Sequence, residues 1–299
     1  MAFSRCLSEG SIDLLASEAQ QENSWWRCVL DDPKLFIGIR KDRVDVYWLG
    51  QCIFQARNDS GKLKVTTHPK YLLDPGLKGA ISISDGSFNV AALSANALIR
   101  KFEGKSTLER MKKAAAYYAG DEKVGCHQAA EANPSVIDVE VALLGADSED
   151  VFKTTQSRID FAALDAHGEN VNLVFWEAKV FSNKELRSNK AEAPVVAQMT
   201  RYVDLLTAQR TAVEASYRSL ARNLVAFRDR MGWARPLSPL VSKVAASPEL
   251  LTMHDTPSIR LLVFGFDKDQ EKGAVWKGHL EKLEAGKPKF IGDAKNARL

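Results

Sequence analysis

Residues 157–180, SRIDFAALDAHGENVNLVFWEAKV, decide how the chain is expected to fold. Two segments rich in β-branched, aromatic and other apolar residues, 157–164 and 171–180, flank the short polar sequence DAHGEN. Such a pattern is typical of two antiparallel strands joined by a tight turn. The stretch therefore predicts a β-hairpin just beyond the middle of the chain.

Further elements are predicted on both sides of this hairpin. Residues 136–144 indicate a preceding strand, residues 211–231 a later helix and residues 259–266 a last buried strand. Another helix is expected after Pro194, where apolar residues recur at helical spacing. These residues are Val195, Val196, Met199, Tyr202, Val203, Leu205 and Leu206. Strands alternating with helices in this way predict an α/β domain with a mixed sheet.

Helical periodicity also precedes the three strands, between residues 88 and 133. It predicts helices over 90–102 and 107–118. Ser106 and Glu109 have the spacing of a capping box at the start of the second helix, and Gly120 is suited to its end.

The first 85 residues have a different character. After a short helix over 11–20, four segments alternate apolar and polar residues, which predicts an antiparallel meander. These segments are 35–40, 44–49, 51–56 and 62–67. A length of 299 residues allows one large domain or two smaller ones. We expect two, 1–85 and 86–299, with the first available for docking or dimerisation.

Composition excludes some classes of protein. Lys and Arg number 41 against 38 Asp and Glu, so the chain is neither a polycation nor an acidic tail, although a local basic surface remains possible. Four widely spaced cysteines favour free thiols, and no apolar run reaches the roughly 20 residues of a membrane helix. We therefore expect a cytoplasmic protein with no membrane partner. Walker, HExxH and GxSxG motifs are absent from the sequence.

Three charged residues in the hairpin are the candidates for chemistry. Glu177 and Lys179 are two residues apart, so a strand directs both to one face, and the hairpin can bring Asp160 beside them. Mg²⁺ prefers oxygen ligands and needs few of them from protein. A lysine beside such an ion can orient or deprotonate water and stabilise charge developing at phosphorus. The three residues therefore predict a metal-dependent phosphodiester hydrolase.

The same residues resemble the PD-(D/E)xK, or restriction-endonuclease-like, nucleases. Asp160 followed by Glu177-Ala-Lys179 is similar to the family's motif, and Gln198 and Tyr202 resemble the Gln-x-x-x-Tyr helix of the RecB-type exonucleases. The likeness in element order covers about residues 90–267, and its motifs cover about 137–202. Ile159 departs from it, because the family's name has Pro at that position.

The resemblance implies a restriction-endonuclease-like α/β core of helix, three-strand antiparallel meander, helix and strand, preceded by the small β domain. It implies a Mg²⁺-dependent deoxyribonuclease, with Mn²⁺ able to substitute, acting in repair, restriction or anti-phage defence. Asp160 and Glu177 would be metal ligands, Lys179 would act on water, and Gln198 and Tyr202 would position the reacting groups. A further acid would come from Glu140 or from Glu109.

DNA is the expected partner. Lys184, Arg187 and Lys190 follow the third strand and can hold the DNA backbone, or else form an exposed charged loop. The lysine-rich residues 268–299 predict a solvated surface helix and loop. The alternative function is a non-catalytic DNA-binding or assembly module on the same fold. A structural protein without nucleic acid is the third possibility.

Overall fold

A computed structural model describes residues 3–73, 83–84, 87–88, 99–143, 158–188 and 192–299. The α-helices are α1 Glu9–Ala19, α2 Trp25–Leu30, α3 Lys105–Tyr117, α4 Asp121–Glu131, α5 Pro194–Ala208, α6 Arg210–Met231, α7 Pro239–Ala246, α8 Lys268–Lys272 and α9 Ala274–Leu280. The strands are β1 Phe36–Arg40, β2 Arg43–Trp48, β3 Gln51–Asp59, β4 Lys62–Thr66, β5 Ile83–Ser84, β6 Ser87–Phe88, β7 Val136–Val141, β8 Ile159–His167, β9 Asn170–Val180, β10 Leu251–Thr252, β11 Ser258–Phe264 and β12 Lys289–Ile291.

The N-terminal strands form one antiparallel sheet in the order β1-β2-β3-β4. Each strand pairs with the next along the chain, as period-two alternation with short turns requires. The predicted meander is therefore confirmed. The predicted first helix is confirmed as α1, whereas α2 was not expected.

The larger sheet is mixed, in the order β12-β11-β9-β8-β7, with β10 beside β9. β7, β8 and β9 are antiparallel, and β11 runs parallel to β9. Parallel pairing needs a crossover, which α5, α6 and α7 supply. The prediction of a mixed α/β sheet flanked by helices is confirmed. The β8–β9 turn is shorter than expected, because His167 already pairs with Asn170.

Helix boundaries before β7 differ from the predictions. α3 begins at Lys105, and its N-cap is Gly104, whose φ of 82° is a conformation that glycine adopts readily. Ser106 is therefore inside the helix, and the prediction of a capping box at Ser106 is wrong. Gly120 precedes α4 as its N-cap rather than ending α3. Most of the predicted helix over 90–102 lies outside the described residues, and residues 99–102 are not helical.

The prediction of a solvated surface helix and loop for 268–299 holds only in part: α8 has no buried residue, but the segments after it contribute to the core and to the sheet. Trp276 and Leu283 are buried in the main core, and β12 extends the mixed sheet. Within the described residues, no helix has both the length and the apolar character needed to cross a bilayer.

A buried charge network joins the two sheets. Asp138 on β7 accepts hydrogen bonds from Arg5 Nε at 2.7 Å, Arg40 Nη1 at 2.8 Å and the Tyr217 hydroxyl at 3.2 Å. Burial alone would raise the pKa of Asp138, but Arg40 and Arg5 outweigh it and hold the pKa below its ordinary value. Arg40 also donates to the carbonyl of Val139. The network therefore ties β1 to β7.

One apolar core contains residues from both sheets, from Phe3 to Leu283. Residues 85 and 86, where the two predicted domains would meet, lie outside the described residues. The division into domains 1–85 and 86–299 stays a prediction.

Asp138→Ala should lower the free energy of unfolding by about 3–5 kcal/mol, because it removes the buried carboxylate to which Arg5 Nε and Arg40 Nη1 both bind. Urea unfolding measures the change. Asp13→Ala is the control, since Asp13 pairs with Arg230 on the surface and its removal should leave the midpoint unchanged. Equal losses in the two variants would contradict the assigned role of Asp138.

Candidate active site

The ladder between β8 and β9 ends at the candidate residues. The last pair is Phe161 with Trp176, and continuing this register by one residue places Asp160 opposite Glu177. Beyond it, Asp160 Oδ2 accepts a hydrogen bond from the backbone N–H of Ala178 at 2.8 Å. The Asp160 carboxylate therefore accepts a β9 N–H at the point where the two strands stop pairing.

Glu177 is buried in the middle strand of the sheet, with 1% of its surface exposed. Its Oε1 accepts from Lys179 Nζ at 2.8 Å, while its Oε2 is buried without a hydrogen-bond partner. Burial, followed by the charge of Asp160, raises the pKa of Glu177 to about 8. An unpaired, buried carboxylate oxygen is costly, and such groups concentrate at functional sites.

Lys179 lies between two carboxylates. Its ammonium is 2.8 Å from Glu177 Oε1 and 2.8 Å from Glu185 Oε2. Burial alone would lower the pKa of Lys179, but Glu177 and Glu185 raise it above its ordinary value. Lys179 is therefore a cation at neutral pH. This charge favours orienting water or phosphate over removing a proton.

Asp160 belongs to a second ion-pair cluster that adjoins the first. Lys123 Nζ lies 3.7 Å from Asp160 Oδ1 and 2.5 Å from Glu140 Oε1, and Arg158 lies 3.7 Å from Glu140 Oε2. Burial raises the pKa of Asp160 to about 6; Lys123 opposes this shift and Glu140 adds to it. The structure thus brings Glu140 together with Asp160.

Glu140 is held in a rare backbone conformation, with φ of 54°. A non-glycine residue in this left-handed region costs about 1–3 kcal/mol. Its neighbours Val139 and Val141 still pair with Phe161 and Ile159, so the ladder continues on both sides of Glu140; a separate register shift lies between Val136 and Asp138. Strain of this kind concentrates at ligand-binding and catalytic sites.

Glu122 and Lys123, in the first turn of α4, were not singled out in the sequence. Glu122 Oε2 accepts from the Val180 N–H at 3.3 Å and from Asn183 Nδ2 at 2.7 Å. α4 can lie this close because Gly125 faces the sheet, where a Cβ would be only 2.0 Å from Phe264 Cε2. In the sequence, the feature that could have indicated their role is an acidic residue next to a basic one, followed two residues later by a glycine that allows close helix packing.

Glu109, the rival of Glu140 for the further acid, lies elsewhere. Its carboxylate pairs with Lys112, which also binds Asp32 at 2.7 Å. These residues line a separate cavity of about 490 Å³. Glu140 is therefore the one of the two rivals that joins Asp160.

Gln198 and Tyr202 lie on one face of α5, as their spacing predicts. Gln198 Nε2 donates to the Tyr202 hydroxyl at 2.8 Å. α5 packs against β11 and against the 3₁₀ turn Lys184–Leu186, which carries Glu185, the partner of Lys179. Through this turn, α5 is connected to the lysine of the site.

The three predicted DNA-contacting residues have different environments. Lys184 is exposed on the turn. Arg187 is engaged within the protein, since its Nη1 donates to the carbonyls of Phe181 and Asn183 and its guanidinium lies over Phe181 and Trp276. Lys190 lies outside the described residues. Of Lys184 and Arg187, the two residues that the structure describes, Lys184 is the exposed one.

Comparisons with protein-family models, with curated proteins and with solved structures gave no match. The resemblance to PD-(D/E)xK nucleases therefore rests on the sequence, that is, on the motif residues and the expected order of elements. Function is inferred from the geometry and charge of the described side chains.

Replacement of Glu177 by glutamine should change how stability depends on pH. Glutamate ordinarily ionises near 4.5, and in the folded chain the pKa of Glu177 is about 8. Ionisation therefore costs the wild type stability as pH rises from about 4.5 to 8. Glu177→Gln avoids this cost. The difference in Tm between Glu177→Gln and the wild type, measured in EDTA, should therefore shift in favour of the variant by at least about 2 °C from pH 5 to pH 8.

Glu185→Gln is the matched control for this measurement. Glu185 also binds Lys179, but about half of its side chain is exposed. Its Tm should follow the wild type in parallel across the same pH range. Parallel curves for Glu177→Gln would show that Glu177 ionises normally and would refute its perturbed state.

Proposed function

We propose that this chain is a divalent-metal-dependent deoxyribonuclease that hydrolyses phosphodiester bonds. The observation that carries the proposal is the buried, unpartnered Glu177 Oε2, which lies beside Asp160 and Lys179. The order α4, β7-β8-β9, α5, β11 supports a restriction-endonuclease-like core, and with it the motif resemblance. A role in repair, restriction or anti-phage defence belongs to the same proposal.

The donor set fits Mg²⁺. Asp160, Glu177 and Glu140 offer hard carboxylate oxygens, and Mg²⁺ typically takes one or two carboxylates and retains water. Within the residues the structure describes, no three His, Cys, Asp or Glu side chains form a ready-made metal cage, which is compatible with so few protein ligands. When bound, the ion supplies Lewis-acid chemistry, polarising phosphoryl oxygen and acidifying water.

The chain's own residues have separate tasks in this proposal. Asp160 and Glu177 hold the ion, and Glu140 contributes negative charge through the same cluster. Lys179, fixed by Glu177 and Glu185, orients water and stabilises negative charge developing at phosphorus. Gln198 and Tyr202 position these groups through the turn that carries Glu185. Lys184 supplies a cation for the DNA backbone.

Asp160→Ala or Lys179→Ala should lower DNA cleavage in Mg²⁺ or Mn²⁺ by about 100-fold or more, since each removes a group acting on the reacting atoms. Gel assays with plasmid and labelled oligonucleotide measure the loss. Asp165→Ala is the control: Asp165 lies on the same strand but pairs with Arg260 near the turn, so its loss should leave cleavage unchanged. Full activity in either site variant would contradict the proposal.

A non-catalytic DNA-binding or assembly module is the second candidate, because ammonium groups already neutralise the acids. Lys123 pairs with Glu140 and Asp160, and Lys179 pairs with Glu177. In such a module the N-terminal sheet would serve docking or homodimer formation. Lysine-paired acids need no metal, so metal binding discriminates between the two functions.

Mn²⁺ or Mg²⁺ should raise the Tm of the wild type, since a ligand of the native state stabilises it, and should raise that of Asp160→Ala much less. Thermal unfolding with and without metal provides the comparison. An unchanged wild-type Tm with DNA binding retained would favour the binding module. Absence of any salt-sensitive DNA binding would instead favour a structural protein.

A further inference from the structure

Two neighbouring tyrosines are exposed at the end of α3. Tyr117 is 74% exposed and Tyr118 is 45% exposed, with ring centroids 5.4 Å apart and planes at 85°. Among the described residues, they and Leu73 are the large apolar side chains classed as exposed. A single exposed apolar residue needs no explanation, but an adjacent aromatic pair offers two ring faces to a ligand.

Cations accompany these rings. Lys70 Nζ lies 4.9 Å from the centre of the Tyr118 ring. On α3, Arg110, Lys113 and Tyr117 are spaced three and four residues apart, so they share one face, and all three are exposed. We call Lys70, Arg110, Lys113, Tyr117 and Tyr118 the α3 track.

The α3 track adjoins the acid cluster through the turn between β2 and β3. Gln51 Nε2 donates to the Tyr118 carbonyl, and Gln51 Oε1 accepts from Lys70 Nζ at 3.0 Å. The preceding Gly50 packs on Lys123, where a Cβ would be 2.8 Å from Lys123 Cδ. Lys123 in turn contacts Glu140 and Asp160. One two-residue segment thus touches both the track and the site.

We propose that the α3 track binds unpaired nucleotides of the DNA strand that is cleaved at Asp160 and Glu177. Bases stack on Tyr117 and Tyr118, while Lys70 and Lys113 contact phosphates. The placement of the cleaved bond rests on the proposed nuclease function; the binding itself does not. The substrate class is therefore DNA with a single-stranded end or flap.

The reach from the track to the site suits this substrate. Tyr118 and Lys123 are five residues apart in sequence, so their Cα atoms are separated by at most about 17 Å. With bases about 3.4 Å apart along a stacked strand, this distance corresponds to roughly five nucleotides or fewer. A strand stacked on the tyrosines can therefore reach the first turn of α4, where Lys123 contacts Asp160.

Charge favours nucleic acid over an apolar protein partner as the occupant. Arg110 and Lys113 are the cations that share the exposed Tyr117 face of α3, whereas Lys112 is buried and pairs with Asp32 and Glu109. An exposed cation next to an exposed ring discourages an apolar interface, because removing a charge from water is costly. Rings interleaved with cations are instead typical of surfaces that bind single strands.

The test is fluorescence anisotropy with labelled oligothymidylate and with a blunt duplex, in EDTA so that no cleavage occurs. Tyr117→Ala/Tyr118→Ala should weaken oligothymidylate binding by about 5-fold or more, because base–aromatic stacking contributes about 1–3 kcal/mol per base. Tyr117→Phe/Tyr118→Phe keeps both ring faces and should bind like the wild type. Duplex binding should be unchanged in both variants.

Three outcomes would overturn the proposal. The alanine variant could bind oligothymidylate as tightly as the wild type, or lose single-strand and duplex binding equally. The alanine variant could also differ from the wild type in oligomeric state, as measured by light scattering, with DNA binding unchanged. That result would mean that the tyrosines contact a second copy of the chain. Failure of cleavage alone would refute the nuclease and leave this binding result standing, because the binding assay contains no metal.

Discussion

Burial of Glu177 beside Asp160, where β8 stops pairing with β9, is the constraint on which the rest of the site depends. A buried carboxylate is costly unless cations and hydrogen bonds compensate it. Lys179 compensates Glu177, Lys123 compensates Asp160, and the Ala178 N–H adds a hydrogen bond. One oxygen, Glu177 Oε2, remains without a partner. That incomplete compensation is the strongest physical reason to expect a ligand.

The N-terminal sheet, in whose sequence no chemistry was recognised, borders the acid cluster. Asp138 ties Arg5 and Arg40 to β7, two residues before the strained Glu140. The turn after β2 reaches Lys123 through Gly50. The sheet therefore helps to fix the geometry of Glu140 and Lys123, and it carries Gln51, which binds the end of α3. In the proposed account its contribution is to position both acids and DNA.

Sequence patterns predicted what depends on local spacing. Strand patterns located the four strands of the N-terminal sheet and β7, β8, β9 and β11 of the mixed sheet, but not β10 or β12. The short turn set Asp160 opposite Glu177, and the four-residue spacing placed Gln198 beside Tyr202. Contacts between distant elements were not predictable in this way. Glu122 and Lys123 reach β9 only because Gly125 lets α4 approach Phe264, a packing relation with no periodic signal. The capping box failed because Gly104 adopts a conformation that glycine tolerates and Glu109 pairs with Lys112.

The central claim is that Asp160 and Glu177 hold a divalent cation. The most direct measurement is anomalous diffraction from crystals soaked in Mn²⁺ near pH 8, where both carboxylates can ionise. The account predicts an anomalous peak at about 2 Å from Glu177 Oε2 and a carboxylate oxygen of Asp160, with Lys123 moved away from Asp160. A map without a peak at these oxygens, with Lys123 still paired to Asp160, would contradict it.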